Sequence, residues 1–573
     1  MKLLHLVFLL FVLVLTSCKD NSSKTFNHDK SNHYKGMVVS ARKEASDIGI
    51  QIMKQGGNAF DAMLATELAL AVVHPCAGNL GGGGFMVYRL NNGETGTLDY
   101  REKAPLNASK NMYLNNDRSI IKNLSKIGIK AVGIPGTVKG VFKAHNRFGL
   151  LPTKEVLKPV IALAKNGYVI TTKQYNRIKE YDSILRVVNG DQLLFKPEIK
   201  IGDTIVNIKL AETLSRLAVS GSDDFYKGES SKKLLDFISN KSGIINADDL
   251  KSYDAIWRAP LSFSFKDYTI HSMGPPSSGG IVLGQILKMI SPYLNQTHTP
   301  NSEAYVKLLV EAEKRAYADR SYYLGDPDFV NIPKDKLLDP KYLNKRLTEF
   351  ALDSIIPSSK ISYGDPNFIN NESSETTHYS IVDHQGNAVS VTTTLNSNYG
   401  SKVFVPELGI FLNNEMDDFS IKPGSPNDYG LIGGVANSIQ PQKRMLSSMT
   451  PTIVEKNNEL FLVVGSPGGS TIITSVLQTI LNVVHHQMPI QKAVDYPRFH
   501  HQWLPDEIKM ESKRFNDSLK TILLNLGYKF SGNKNQTVGL NQTIGKVDAI
   551  LINGDKSLSG GADRRGDDHA SGF

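Results

Sequence analysis

Two adjacent threonines, Thr376 and Thr377, open the run ETTHYSIVDHQGNAVSVTTTLNSNYG, Glu375 to Gly400. The pattern HYSIVD, then the turn residues HQGN, then AVSVTTT predicts a β-hairpin. A threonine hydroxyl is a poor nucleophile unless a base adjoins it, and an N-terminal threonine carries that base as its own α-amine. Cleavage between Glu375 and Thr376 would create such a residue, and the hydroxyl itself could attack the Glu375 carbonyl. The polar, pattern-poor stretch SSKISYGDPNFINNESSE just ahead predicts an exposed, mobile and cleavable linker. Threonine is also a good strand former, so Thr-Thr before a strand does not by itself separate a nucleophile from an ordinary strand start.

Other groups downstream could serve the same chemistry. LNNEMDDFS supplies Glu415, Asp417 and Asp418, and KRMLSSMTPT supplies Ser447 and Ser448, together able to hold an ammonium and a carboxylate. The turn SPGG, Ser466 to Gly469, lies between the strand ELFLVVGS and the helix STIITSVLQTILNVVHH. Backbone N–H groups free of side chains, next to a helix N-terminus, suit an oxyanion hole. Gly81 to Gly84 are not followed by a P-loop lysine and Ser/Thr, so close backbone packing or a pocket wall is the expected role.

The elements that must position these groups belong to a long chain. At 573 residues it exceeds one ordinary domain but suits two lobes sharing a large sheet system. A net charge of +9 is thin over that length, and no basic module points to nucleic acid. No Cys/His cluster suggests a metal, and no motif calls for an organic cofactor. From Met37 a strand GMVVSA precedes helical spacing. The strand GFMVYRL follows the glycine run, and about residues 132–357 read as mostly helical. Within that stretch, MGPPSSGGIVLGQILKMI reads as a turn feeding a buried helix, and SEAYVKLLVEAEKRAYADRSYYLGDPDF reads as a long amphipathic helix ending near Gly325.

The first residues, MKLLHLVFLLFVLVLTSC, have the proportions of a secretory signal, and Leu15-Thr16-Ser17-Cys18 resembles the bacterial lipobox. The expectation is a lipoprotein-type signal over 1–18 whose removal leaves Cys18 as a lipidated N-terminus, a flexible tether over 19–36, and an exported, periplasmic or cell-surface protein anchored to a membrane. Cys76 is the other cysteine, and a disulfide between it and a flexible leader is not expected.

TTHYSIVDHQGNAVSVTTTLN, GIFLNNEMDDFS, KPGSPNDYG, PQKRMLSSMTPT, GSPGGS and PRFHHQWLPDE occur in the order and spacing of the γ-glutamyltranspeptidases, which are N-terminal-nucleophile hydrolases. GGNAFDA, AGNLGGGGF, YREKAP, PPSSGG and AYADRSYYLGDPDF match upstream, so the resemblance covers roughly residues 37 to 573. It implies an α/β fold, a four-layer α/β/β/α sandwich, built from a large subunit (37–375) and a small one (376–573). It implies Thr376 as nucleophile, with Thr394 hydrogen-bonded to its hydroxyl, and the N–H groups of Gly468 and Gly469 as the oxyanion hole. Arg101 would bind the α-carboxylate with help from Ser447 and Ser448; Asn396, Glu415 and Asp418 would hold the α-ammonium. Tyr429 matches a lid tyrosine, and Glu415 replaces the glutamine of some bacterial relatives. The implied partners are glutathione and other γ-glutamyl compounds with amino-acid or peptide acceptors. Readings that also remain are an acylase, a poly-γ-glutamate depolymerase, or an inactive binding lipoprotein.

Overall fold

Alternation along the strands fixes the architecture. In β1 (Met37–Ser40) Val38 packs with one set of helices while Met37 and Val39 turn the other way; in β2 (Gly83–Arg89) Met86 and Tyr88 oppose Phe85 and Val87. A strand buried on both faces must lie inside a stack of layers. The computed structural model describes residues 34–296, 298–347, 355–363, 375–422, 434–511, 514–531 and 543–573. Cys18, the expected tether up to residue 33, Tyr429 and most of the expected linker (364–374) lie outside these residues.

Further strands are β3 (Thr95–Tyr100), β4 (Ile256–Arg258), β5 (Leu261–Phe265), β6 (Tyr268–Ser272), β7 (Glu375–Val382), β8 (Ala388–Asn396), β9 (Thr452–Lys456), β10 (Glu459–Gly465), β11 (Asp548–Ile552), β12 (Leu558–Ala562) and β13 (His569–Gly572). They form a seven-stranded sheet, order β13-β1-β7-β8-β2-β3-β4, and a six-stranded sheet, order β12-β11-β10-β9-β6-β5. The pairs in both are antiparallel. Met37, Val39, Phe85, Val87, Val382, Ile453, Val463 and Ile550 fill the space between the sheets. Helices α1 (Lys43–Lys54), α2 (Ala59–Val73), α3 (Thr137–Phe148) and α4 (Thr172–Asn189) belong to the first sheet's outer core, and α5 (Gly279–Ile290), α6 (Glu303–Tyr323) and α7 (Thr471–Val484) to that of the second. The result is the expected α/β/β/α sandwich. Each fully buried Val, Leu or Ile contributes about 1.5–3 kcal/mol, so the three hydrophobic layers dominate its stability.

Two expectations need correction. The middle of the chain is mostly helical, as expected, and it also carries β4, β5 and β6: one closes an edge of the first sheet and two supply the second. Short strands with alternating burial, as in LSFSF, give little signal between long helices. Helix α6 is not amphipathic: its residues from Tyr305 to Ser321 are all buried, Glu311, Lys314 and Arg315 included. The pairs Glu311–Lys314 at 2.6 Å and Glu311–Arg315 at 2.8 Å make that burial tolerable. Finally, β2 starts at Gly83, one residue before the expected strand GFMVYRL. The expected close packing of this run holds, since a Cβ on Gly82 would sit 1.9 Å from the Thr394 carbonyl oxygen.

Candidate active site

Thr376 is the second residue of β7; its neighbours Glu375 and Thr377 pair with β8, and the pairing with β1 starts further along, at Tyr379. Thr377 pairs with Thr393 and Glu375 with Asn396, so the register shifts and β8 bulges at its end, with Asn396 at φ 72°. Thr376 is buried, yet its Oγ1 has no hydrogen-bond partner. The hydrogen bond expected from Thr394 is not made. Across the bulge the Asn396 N–H donates to Thr394 Oγ1 at 2.7 Å. A buried, unbonded hydroxyl costs about 1–3 kcal/mol and calls for a reason.

The SPGG turn supplies the opposing wall. Gly468 and Gly469 have φ 131° and 62°, and a Cβ on Gly468 would meet Thr471 Oγ1 at 2.7 Å, so the turn requires glycine there. Their carbonyls accept from the Thr471 and Ile472 N–H groups at 3.1 and 3.0 Å, which joins the turn to α7. A cavity of about 360 Å³ is lined by both Thr376 and Gly468.

Arg101 follows β3 directly and is fully buried. Its Nη1 lies 2.6 Å from Glu415 and 3.6 Å from Glu102, and its Nη2 pairs with Asp418. Its Nε and Nη2 also donate to the carbonyls of Met445 and Leu446 at 3.3 and 3.2 Å. Asn414 N donates to Leu395 O and Asn396 Nδ2 to Asn414 O, so the end of β8 holds the loop that carries Glu415 and Asp418. Burial pushes the carboxyls of Glu415 and Glu102 up to about 8 against the pull of Arg101. The guanidinium is held firmly charged, because the three carboxylates outweigh its loss of water. Asn396 Oδ1 is buried without a partner. Ser447 Oγ accepts from Met449 N at 3.2 Å, and Ser448 Oγ accepts from Arg320 Nη2 at 2.8 Å.

The structure therefore brings Arg101, Glu415 and Asp418 into direct contact, where separate carboxylate and ammonium subsites were expected. Positive and negative halves of the clamp close on each other, and a zwitterionic ligand could exchange with both. Asp417 stands apart, accepting from Ser125 Oγ at 2.5 Å. Sequence reasoning missed Glu102, Arg320 and Asn437. Asn437 bridges the clamp's loops, donating to Asp418 O at 2.7 Å and accepting from Leu446 N at 3.0 Å. Arg320, pulled down to about 10 by burial, also donates to Ser278 Oγ at 2.8 Å. Glu102 and Arg320 fall inside YREKAP and AYADRSYY, the signal that could have found them. Among the described residues no cluster of His, Cys, Asp or Glu is placed to hold a metal ion.

A model of the gamma-glutamyltranspeptidase family matches residues 45–573. The glutathione hydrolase proenzyme of Escherichia coli (strain K12) is 42% identical over 543 residues, 94% of this chain and 92% of that relative. The crystal structure of Helicobacter pylori gamma-glutamyltranspeptidase is 40% identical with a TM-score of 0.56, covering 57% of this chain and 94% of that one. Cephalosporin acylase from Bacillus halodurans, at 23% identity and a TM-score of 0.81 over 94% of this chain and 96% of that one, shares the fold. With a family match that runs through β7, the SPGG turn and the loops around Arg101, the chain belongs to the γ-glutamyltranspeptidase family of N-terminal-nucleophile hydrolases and is an enzyme of that kind.

Proposed function

We propose that the chain is a γ-glutamyltransferase and glutathione hydrolase that matures by cutting itself between Glu375 and Thr376. The observation that carries this reading is the buried, unbonded hydroxyl of Thr376, in the same cavity wall as Gly468. In the uncut chain the Thr376 nitrogen is an amide and no base. Its hydroxyl attacks the Glu375 carbonyl, the acyl group moves from nitrogen to oxygen, and water releases the Glu375 carboxylate together with a free Thr376 α-amine. That amine then takes the hydroxyl proton as Oγ1 attacks a γ-glutamyl amide. The N–H groups of Gly468 and Gly469 stabilise the oxyanion, and the amine leaves with the proton. Water or an amino acid or peptide resolves the γ-glutamyl ester.

The α-carboxylate goes to Arg101, assisted by Ser447 and Ser448, and the α-ammonium to Asn396, Glu415 and Asp418. A clamp with both charges favours small γ-glutamyl donors over an acylase or depolymerase substrate. The mature enzyme is a heterodimer of a large subunit, residues 37–375 preceded by the tether 19–36 and a lipidated N-terminal Cys18, and a small one, residues 376–573, exported and held to a membrane by that lipid. Release of glutamate from glutathione and of p-nitroaniline from γ-glutamyl-p-nitroanilide tests the activity; no release from either would refute it. Cys18→Ala moves the protein out of the membrane fraction or leaves its leader uncut, and a wild-type protein wholly soluble with its N-terminus beyond residue 18 would refute the anchor.

A further inference from the structure

A γ-glutamyl donor has two ends, and the clamp accounts for one. With the α-amino acid held at Arg101 and the scissile carbonyl at Thr376, the leaving amine must extend away from the clamp, into the cavity that reaches Thr376 and Gly468. That cavity's described walls carry four cations, Lys173, Arg177, Lys546 and Arg565, and one carboxylate, Glu180. Two of the cations are committed elsewhere. Arg565 pairs with Glu511 at 2.5 Å and Asp563 at 3.1 Å, and Lys173 donates to the Arg564 carbonyl at 3.1 Å, so both hold the C-terminal segment in place.

Lys546 and Arg177 line the same cavity and add to its positive sign. The backbone N–H of Lys546 donates to Ser466 Oγ at 3.1 Å, which ties this lysine to the residue that opens the SPGG turn. Arg177 approaches from α4, its Nη1 3.3 Å from Cys76 Sγ. Their field reaches the buried His74, whose imidazolium is disfavoured first by burial and then by Arg177 and Lys546. Asp548 and Asp568 also face Lys546, but burial holds both carboxyls high, Asp568 to about 7, so they offset its charge only in part near neutrality. A cavity of about 360 Å³ has room for a dipeptide, whose carboxylate lies roughly 7 Å beyond the scissile nitrogen when extended.

We propose that Lys546, with Arg177, binds the terminal carboxylate of the leaving peptide and of the peptide acceptor that replaces it, so that the enzyme selects γ-glutamyl peptides ending in a free carboxylate. The proposal rests on the γ-glutamyl-transfer reading above and names the substrate class of that site's second half. It covers Lys546 as a binding residue and assigns it no part in the chemical step.

The test compares kcat/KM on glutathione with that on glutathione carrying a C-terminal glycine amide, using the mature wild-type enzyme, Lys546→Gln and Lys546→Arg. Wild type should favour the acid by about tenfold, a typical worth of one partly exposed charge-assisted contact. Lys546→Gln should bring the acid-to-amide ratio close to one, Lys546→Arg should keep most of it, and Arg177→Gln should lower it. A wild-type ratio near one overturns the proposal even if no variant folds. A ratio unchanged in Lys546→Gln overturns it too, including the case where both rates fall together because the turn at Ser466 is disturbed. Should the wild type turn over neither donor nor γ-glutamyl-p-nitroanilide, the parent reading fails; turnover of the anilide with a flat ratio sinks only this one.

Discussion

The two halves of the site are prepared in opposite ways. In the clamp, polar groups already hold one another: the Arg101 guanidinium lies against the Glu415 and Asp418 carboxyls, and Ser448 accepts from Arg320, all in buried positions. At Thr376, the proposed nucleophile, nothing is paired, since its Oγ1 is buried without a partner beside a turn of two left-handed glycines. The contrast teaches what each half must do. Binding can exchange one set of ion pairs for another at modest net cost, whereas bond making needs a hydroxyl and an oxyanion site that are not already occupied.

The largest effect should come from emptying the unpaired half. Thr376→Ala is expected to abolish self-cleavage and to lower turnover by roughly 10⁴-fold or more, because one hydroxyl serves both reactions. Denaturing electrophoresis checks the first and glutamate release the second; Thr376→Ser should retain part of each. Next comes Gly468→Ala. Its φ of 131° is strained for alanine, at about 1–3 kcal/mol, and the added Cβ meets Thr471 Oγ1. Loss of one oxyanion donor's geometry should reduce kcat by about 10²–10³-fold with less change in KM, as steady-state kinetics would reveal.

Perturbing the paired half should cost less. Arg101→Lys keeps a charge but loses the planar fork that reaches two carboxylates and two carbonyls, so KM for glutathione should rise by about 10–100-fold. Wild-type kinetics in that variant would place the substrate carboxylate elsewhere. The smallest effect is a pH limb. Burial raises Glu415 to about 8, so the carboxyl is largely neutral below that pH, and only its ionised form pairs with an ammonium. Donor kcat/KM should therefore climb as pH rises through about 8. Glu415→Gln should make the climb shallower, leaving what Glu102, raised for the same reason, and the proposed Thr376 α-amine base, with an ordinary value of about 7.7–8.0, contribute.

What could be read before the fold was seen followed the type of signal. The hairpin and the SPGG strand-turn-helix were legible because alternation and paired glycines are local, whereas the four-layer class came through the family resemblance. The strands β5 and β6 were not, since short alternating runs between long helices carry little period. Buried α6 misled because its charges are satisfied by ion pairs that sequence spacing only hints at. Arg101, Glu415 and Asp418 were legible through the family resemblance, but their mutual pairing depends on loops joined across more than 300 residues of sequence. The altered partner of Thr394 depends on a one-residue register shift that no composition encodes.

Intact mass spectrometry of the purified protein, read together with glutamate release from glutathione, tests the central claim most directly. The account predicts two polypeptides separated at Glu375–Thr376 that release glutamate, and one uncut, inactive chain for Thr376→Ala. An uncut wild-type chain that releases glutamate, or two chains whose break lies elsewhere, would contradict it.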